Sequence, residues 1–295
     1  MDRMIFSFML FLVFNSALGQ PPLTTDEALS RIYKGYDPAT KTAKWECTAE
    51  QLKNGGNEDW DCHSGGESVS VSLILLAEVA EGDASVTYVA AFSNPIPGPG
   101  VGDYACHACP MAIGAGKFRL EKGKWTLVSA NPAIGFFGGF GAPPDVSLVK
   151  AGPEQYGVLI LDRDTGQGYS TSHQSLALPV GSPFDVVWSL RDEEDDISAV
   201  DPNEPGHLAI YRNAAAFRII GMNDGLLEDK PQEPKFFDIE VISRGRTGAA
   251  SGMATKPENW SEVYHFSNGK YRLVSRKAFV ETPRSAPAKK VTAGR

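Results

Sequence analysis

The chain has 295 residues, 42% of them hydrophobic and 22% charged, with a formal charge of −8. It can bury a substantial core, and its acidic balance argues against a nucleic-acid partner, which would want a basic face. Thirty glycines and twenty prolines, spread along the whole chain, suit a loop-rich β protein better than a helical one.

Residues 1–19, "MDRMIFSFMLFLVFNSALG", have the layout of a secretory signal peptide: Arg3, an apolar run from Met4 to Phe14, and small residues at Ala17-Leu18-Gly19. The run is shorter than the roughly 20 residues a membrane-spanning helix needs. No later segment reaches that length, so no membrane span is expected. Cleavage near Gly19 would leave Gln20 as a new N-terminus without a lipidation cysteine, and the expected location is secreted or periplasmic.

"TTDEALSRIYKGY" predicts a helix. Thr24 is placed to cap it, Glu27 completes the capping box, Leu29, Ile32, Tyr33 and Tyr36 recur at helical spacing, and Gly35 is placed to end it. Beyond it the period changes to two. Val69, Val71, Leu73 and Leu75 are expected on one face of a strand, and Val86, Tyr88, Ala90 and Phe92 on one face of the next. Gly82-Asp83 would turn between them. Further strands are expected at "VSLVK", "YGVLILD", "FDVVWSL", "HLAIY", "FRIIG" and "FDIEVIS". "NPIPGPGVGD" and "GFFGGFGAPPD" are expected as loops, and "PMAIGAGKF" is glycine-broken and too short for a good helix.

"FRLEKGKWTLVS" (118–129) and "YHFSNGKYRLVS" (264–275) echo one another. A two-residue turn at Lys122-Gly123 or Asn268-Gly269 would pair Leu120 with Trp125 and Phe118 with Leu127, and Phe266 with Tyr271 and Tyr264 with Leu273. Lys124, His265 and Arg272 would take the wetter face. The expected architecture is mainly β, built of antiparallel hairpins in a sandwich-, barrel- or propeller-like arrangement, with a short N-terminal helix. Residues 20–281 would form one globular domain, or two related halves with a break near 131–145. Residues 282–295 form a basic tail too polar to pack.

Four cysteines, Cys47, Cys62, Cys106 and Cys109, make an even number in an exported chain and are expected to form disulfides. Three connectivities are open; bridges within Cys47/Cys62 and within Cys106/Cys109 would stabilise by about 3 and about 2 kcal/mol. Haem attachment is excluded because Pro110, not histidine, follows Cys109. A thioredoxin-like pair would need a helix after Cys109, and the sequence there does not favour one. A zinc or Cu(I) site could draw on Cys106, His107, Cys109, Met111 and His63, in competition with oxidation of the same thiols.

Asp162 and Asp164 open "DRDTGQGYSTSH" like a calcium loop, but Gln167 and His173 occupy the positions that need glycine and glutamate, so it reads as a turn between strands. Asp192, Glu193, Asp195 and Asp196 form an acidic run after a strand, expected as a solvated loop and a candidate cation site. No nucleophile elbow, zinc-protease helix or P-loop is present. His63, His107, His173, His207 and His265 are scattered. Ser267 and Lys270 match S-x-x-K only across a turn. Asn259-Trp260-Ser261 is a glycosylation sequon. Phe136, Phe137 and Phe140 are expected to pack inward.

"YACHACPMAIGAGKF", "GKWTLVSANPAIGFFGGFGAPP" and "YGVLILDRDTGQGY" together resemble exported bacterial proteins that carry a Cys-His-x-Cys segment ahead of a strand. The resemblance implies export and a β-rich fold, and no activity. The function expected is an exported binding module, without a cofactor, for a protein or for a small-molecule or glycan ligand. The alternatives are a hydrolase with dispersed acid/base residues, and a thiol-redox or metal-handling protein at Cys106/Cys109.

Overall fold

The structure, a computed structural model, describes residues 21–44, 68–94, 111–138, 142–166, 169–181, 183–195, 211–220, 236–247 and 256–279. The expected signal peptide, all four cysteines, His63, His107, His207, Phe140, Asp196 and the tail lie outside them.

Helix α1 spans Thr25–Ile32 and is held at its start as its sequence suggests. The Thr24 hydroxyl accepts from the Glu27 amide at 3.2 Å, and Asp26 and Glu27 sit in the first turn with Arg31 in the last, matching the helix dipole. Gly35 follows at φ +64°. The helix buries Ala28, Leu29 and Ile32 against strand β4, Met111–Glu121. A β-carbon at Gly114 would stand 2.3 Å from the Tyr33 hydroxyl, and one at Gly116 2.7 Å from Ile32 Cδ1. The glycines of "PMAIGAGKF" are therefore the seat of the helix, and from Met111 onward the segment is a buried strand.

Five strands form the first sheet: β1 (Thr42–Lys44), β2 (Ser68–Glu81), β3 (Ala84–Asn94), β4 and β5 (Lys124–Phe137), neighbours in chain order and antiparallel. Gly82 turns at φ +58° between β2 and β3. Val86, Tyr88, Ala90 and Phe92 share a face as expected, but Leu75 does not join Val69, Val71 and Leu73. The register shifts between Leu73 and Leu75, so Leu75 packs with the opposite face. β5 also runs further than expected, through "NPAIGFF". Its two last phenylalanines are partly buried on opposite faces, Phe136 toward the helix and Phe137 toward the second sheet.

Eight strands form the second sheet: β6 (Asp145–Gly152), β7 (Gln155–Gly166), β8 (Tyr169–Leu178), β9 (Asp185–Asp195), β10 (Tyr211–Ile220), β11 (Asp238–Thr247), β12 (Lys256–Ser267) and β13 (Lys270–Ala278). They too are neighbours in chain order. Of "HLAIY" only Tyr211 is described. β9 and β10 are joined by just the pairs around Glu193↔Ala214, and the sheet bends back on itself there. β6–β9 put Val158, Ile160, Ala177 and Phe184 against Tyr88, Ala90, Ile113 and Ala115 of the first sheet. Their other face, with Leu176, Leu178 and Trp188, packs on Ile239, Val241 and Tyr271. The order of layers is helix, first sheet, β6–β9, β10–β13.

Both echoed hairpins have the expected register and positive φ at both turn positions, Lys122-Gly123 and Asn268-Gly269. The match extends to an irregularity. Lys117 lies opposite Ser129 and Val263 opposite Ser275, so Val128 and Val274 are each the extra, exposed residue of a bulge at the same place.

Candidate functional site

Charge is concentrated first between the sheets. Tyr88 of β3 lies opposite Lys117 of β4, and Lys117 opposite Ser129 of β5. Glu81 closes β2. Its carboxylate accepts from the Tyr88 hydroxyl at 2.5 Å and pairs with Lys117 Nζ at 2.6 Å, the two side chains being 2% and 4% exposed. Lys117 also donates to Gln155 Oε1 at 3.4 Å, and the Tyr156 amide donates to the Tyr88 oxygen at 3.3 Å. Burial, reinforced by the Glu81 carboxylate, pushes the Tyr88 phenol far above its usual range. The network fastens the first sheet to β7 and is closed to any substrate in this structure.

A second constellation lies at the start of β11. Asp238 and His265 stand just beyond the last β11–β12 register pair, Ile239↔Tyr264, and their Oδ1 and Nδ1 atoms are 2.7 Å apart. The carboxylate is buried (8%) and the imidazole 30% exposed, with Arg272 its register neighbour on β13. A carboxylate that fixes one ring nitrogen leaves the other free to take a proton, the arrangement of a positioned general base. Burial and the Asp238 charge raise the nearby Tyr271 phenol, whose hydroxyl donates to the Phe237 carbonyl at 2.9 Å.

The third constellation is where the folded-over core comes to the surface. Trp260, Glu262, Tyr264 and Phe266 alternate along one face of β12, and Tyr271, Leu273 and Arg276 of β13 share it. Phe266 and Tyr271 are in ring contact with each other, while Tyr264 meets Trp188 edge-on, ring centres 6.2 Å apart. Moving outward, Glu262 accepts from the Tyr264 hydroxyl at 2.9 Å and forms an ion pair with Arg276, Nε to Oε1 3.2 Å. The Arg276 guanidinium lies over the Trp260 ring, 4.2 Å from its centre. Burial first, then the Glu262 bond, pushes the Tyr264 phenol up to about 12. Trp188 Nε1 is buried at the base and has no hydrogen-bond partner among the described residues.

The residues singled out from the sequence are not gathered into one site. Met111 is buried at the start of β4. Asp162 and His173 face each other across the β7–β8 hairpin; Asp162 accepts from the Gly138 amide at 2.9 Å and His173 from Arg191 Nε at 3.2 Å. β9 continues through Asp195, so Asp192, Glu193 and Asp195 stand on a strand, paired on both sides at Glu193 and Asp195, and not in the loop expected. Among the described residues no three His, Cys, Asp or Glu are grouped to hold a metal, and no helix is long and apolar enough to cross a membrane. Ser267 and Lys270 are a turn pair, and Asn259-Trp260-Ser261 is within β12.

Glu81, Lys117 and Asp238 escaped the sequence reading. The available signal was Lys117 itself, a charge that follows Ile113 and Ala115 on one face of β4, with Arg119 next to it nearer the turn.

Comparison with protein-family models, with curated proteins and with solved structures gives no match. The fold is mainly antiparallel β, a meander of hairpins with one short helix near its start.

Proposed function

We propose that this protein is a binding module whose recognition surface is the rim of the β12–β13 hairpin. The observation that carries the reading is the Trp260–Arg276–Glu262–Tyr264 cluster. It combines two aromatic rings and a guanidinium, the side chains that dominate binding energies, and hydrogen bonds already hold it in one geometry. Leu273, 47% exposed on the same face, adds apolar area. The test is immobilisation of the intact chain and titration with a panel of neutral oligosaccharides and peptides, followed by Trp260→Ala and Arg276→Ala. A ligand lost at least about tenfold by both variants, with unchanged near-ultraviolet circular dichroism, supports the reading. Binding that is equal in wild type and variants sinks it.

A hydrolase is the second reading, favoured by the Asp238–His265 contact. His265→Gln should then abolish turnover of an activated ester and remove its pH dependence, while turnover that survives the change rules His265 out as the base. A thiol-redox or metal-handling role would rest on Cys106 and Cys109, outside the described residues.

A further inference from the structure

β13 is the terminal strand of the second sheet and pairs only with β12 among the described residues. It passes close to β9, yet every side chain from Arg272 to Ala278 except Ser275 is exposed. Its sequence, "KYRLVSRKA", holds Lys270, Arg272, Arg276 and Lys277 and no carboxylate, in a chain whose formal charge is −8. Among the described residues Lys270, Arg272 and Lys277 have no ion-pair partner, and Arg276 shares Glu262 with Tyr264. Val274, pushed out by the bulge, is 59% exposed and Leu273 on the opposite face is 47% exposed.

Edge strands attract other strands, and basic residues normally discourage that. The discouragement is selective. A second copy of β13 would set lysines and arginines against lysines and arginines, which is destabilising, whereas an acidic strand would find opposite charges at Lys270, Arg272, Arg276 and Lys277. We propose that β13 receives an extended acidic segment of a partner protein, added as a further strand, with Leu273 and Val274 contacting its apolar side chains. This rests on the binding reading given above and names the class of partner.

The experiment titrates the intact chain into a fluorescein-labelled Glu-Val-Glu-Thr-Glu-Val-Glu-Thr peptide, followed by fluorescence polarisation. Parallel arms use the same peptide with lysine for glutamate, the acidic peptide N-methylated at alternate residues, and a neutral oligosaccharide. Expected are binding of the acidic peptide alone and about tenfold weakening between 20 and 200 mM salt. The N-methylated arm should fail, because it keeps the charge and loses the strand pairing. Arg272→Glu/Lys277→Glu should weaken binding about tenfold or more, and Arg272→Lys/Lys277→Arg should retain it, which separates charge from folding. Equal binding of acidic and basic peptides, or of the N-methylated peptide, overturns the inference. Self-association abolished by the charge reversal overturns it in favour of a second copy. If Trp260→Ala abolishes oligosaccharide binding while the acidic peptide never binds, this inference fails and the binding reading stands.

Discussion

Removing Lys117 from the Lys117–Glu81 pair takes the ammonium away from a carboxylate buried in the inter-sheet core. Lys117→Met is therefore expected to lower unfolding free energy by about 3–5 kcal/mol, and Lys117→Met/Glu81→Leu by far less, measured by urea denaturation. A double variant as unstable as the single one would mean that the pair is not what holds β4 to β7. Tyr264 gives a pH prediction. Its phenol is raised from 10.0 to about 12 in the folded chain. Below pH 10 both states keep the proton and its contribution is complete; between pH 10 and 12 only the unfolded state ionises, so stability falls as pH rises. Urea midpoints across that window should fall less in Tyr264→Phe than in wild type, and equal slopes would exclude the residue as a contributor. None of this site chemistry was written plainly in the sequence. Glu81 adjoins a Gly-Asp turn and reads as a solvated hairpin end. Asp238 and His265 stand 27 residues apart in the chain and meet only at the far end of the β11–β12 pair, which no local pattern encodes.

The helix and its seat can be tested as one unit. Gly114→Ala forces a β-carbon onto Tyr33 and the Pro132 carbonyl and should cost about 1–3 kcal/mol. Gly269→Ala meets nothing within 4 Å, so only its φ of +80° opposes it, at about 1–2 kcal/mol. Tyr33→Ala, which opens the space, should therefore rescue part of the first loss in thermal unfolding and none of the second. Rescue of both would show that the clash is not the cause. At this scale the sequence was readable wherever chemistry is local: the Thr24 cap, the Gly82 turn and both echoed hairpins, down to their cross-strand pairs. It misled where a strand serves another element. The glycines of β4 look like loop residues because the reason for them is Tyr33 and Ile32, far away in the chain. β8 begins with serines and threonines and shows no apolar period before Leu176, although Ser172 and Ser175 are buried. The bulge at Leu73/Leu75 reversed a face that period two alone would have kept.

The two sheets share one core through Tyr88, Ile113, Val158 and Phe184, so they should unfold together. Phe184→Ala is expected to lower stability by about 3–5 kcal/mol and to shift near- and far-ultraviolet signals by the same amount. Two separated transitions would mean that each sheet is stable alone. Phe184 also offers its carbonyl to Asn131 of β5 at 3.0 Å, so its position is fixed by the backbone as well as by the ring. The strand order has a kinetic consequence. Among the described residues every strand of both sheets pairs only with the strand made just before or just after it, so in synthesis each hydrogen-bonding neighbour is the next strand to appear, and the closing entropy is smallest at the tight hairpins. The N-terminal helix is the exception. Trp125 Nε1 donates to the Pro21 carbonyl at 3.2 Å, and Arg31 donates to the Trp125 carbonyl, so the first element to be made cannot dock until β5 exists. For the whole of that interval Leu29, Ile32 and Tyr33 remain uncovered, an apolar face open to any chaperone that meets the nascent chain.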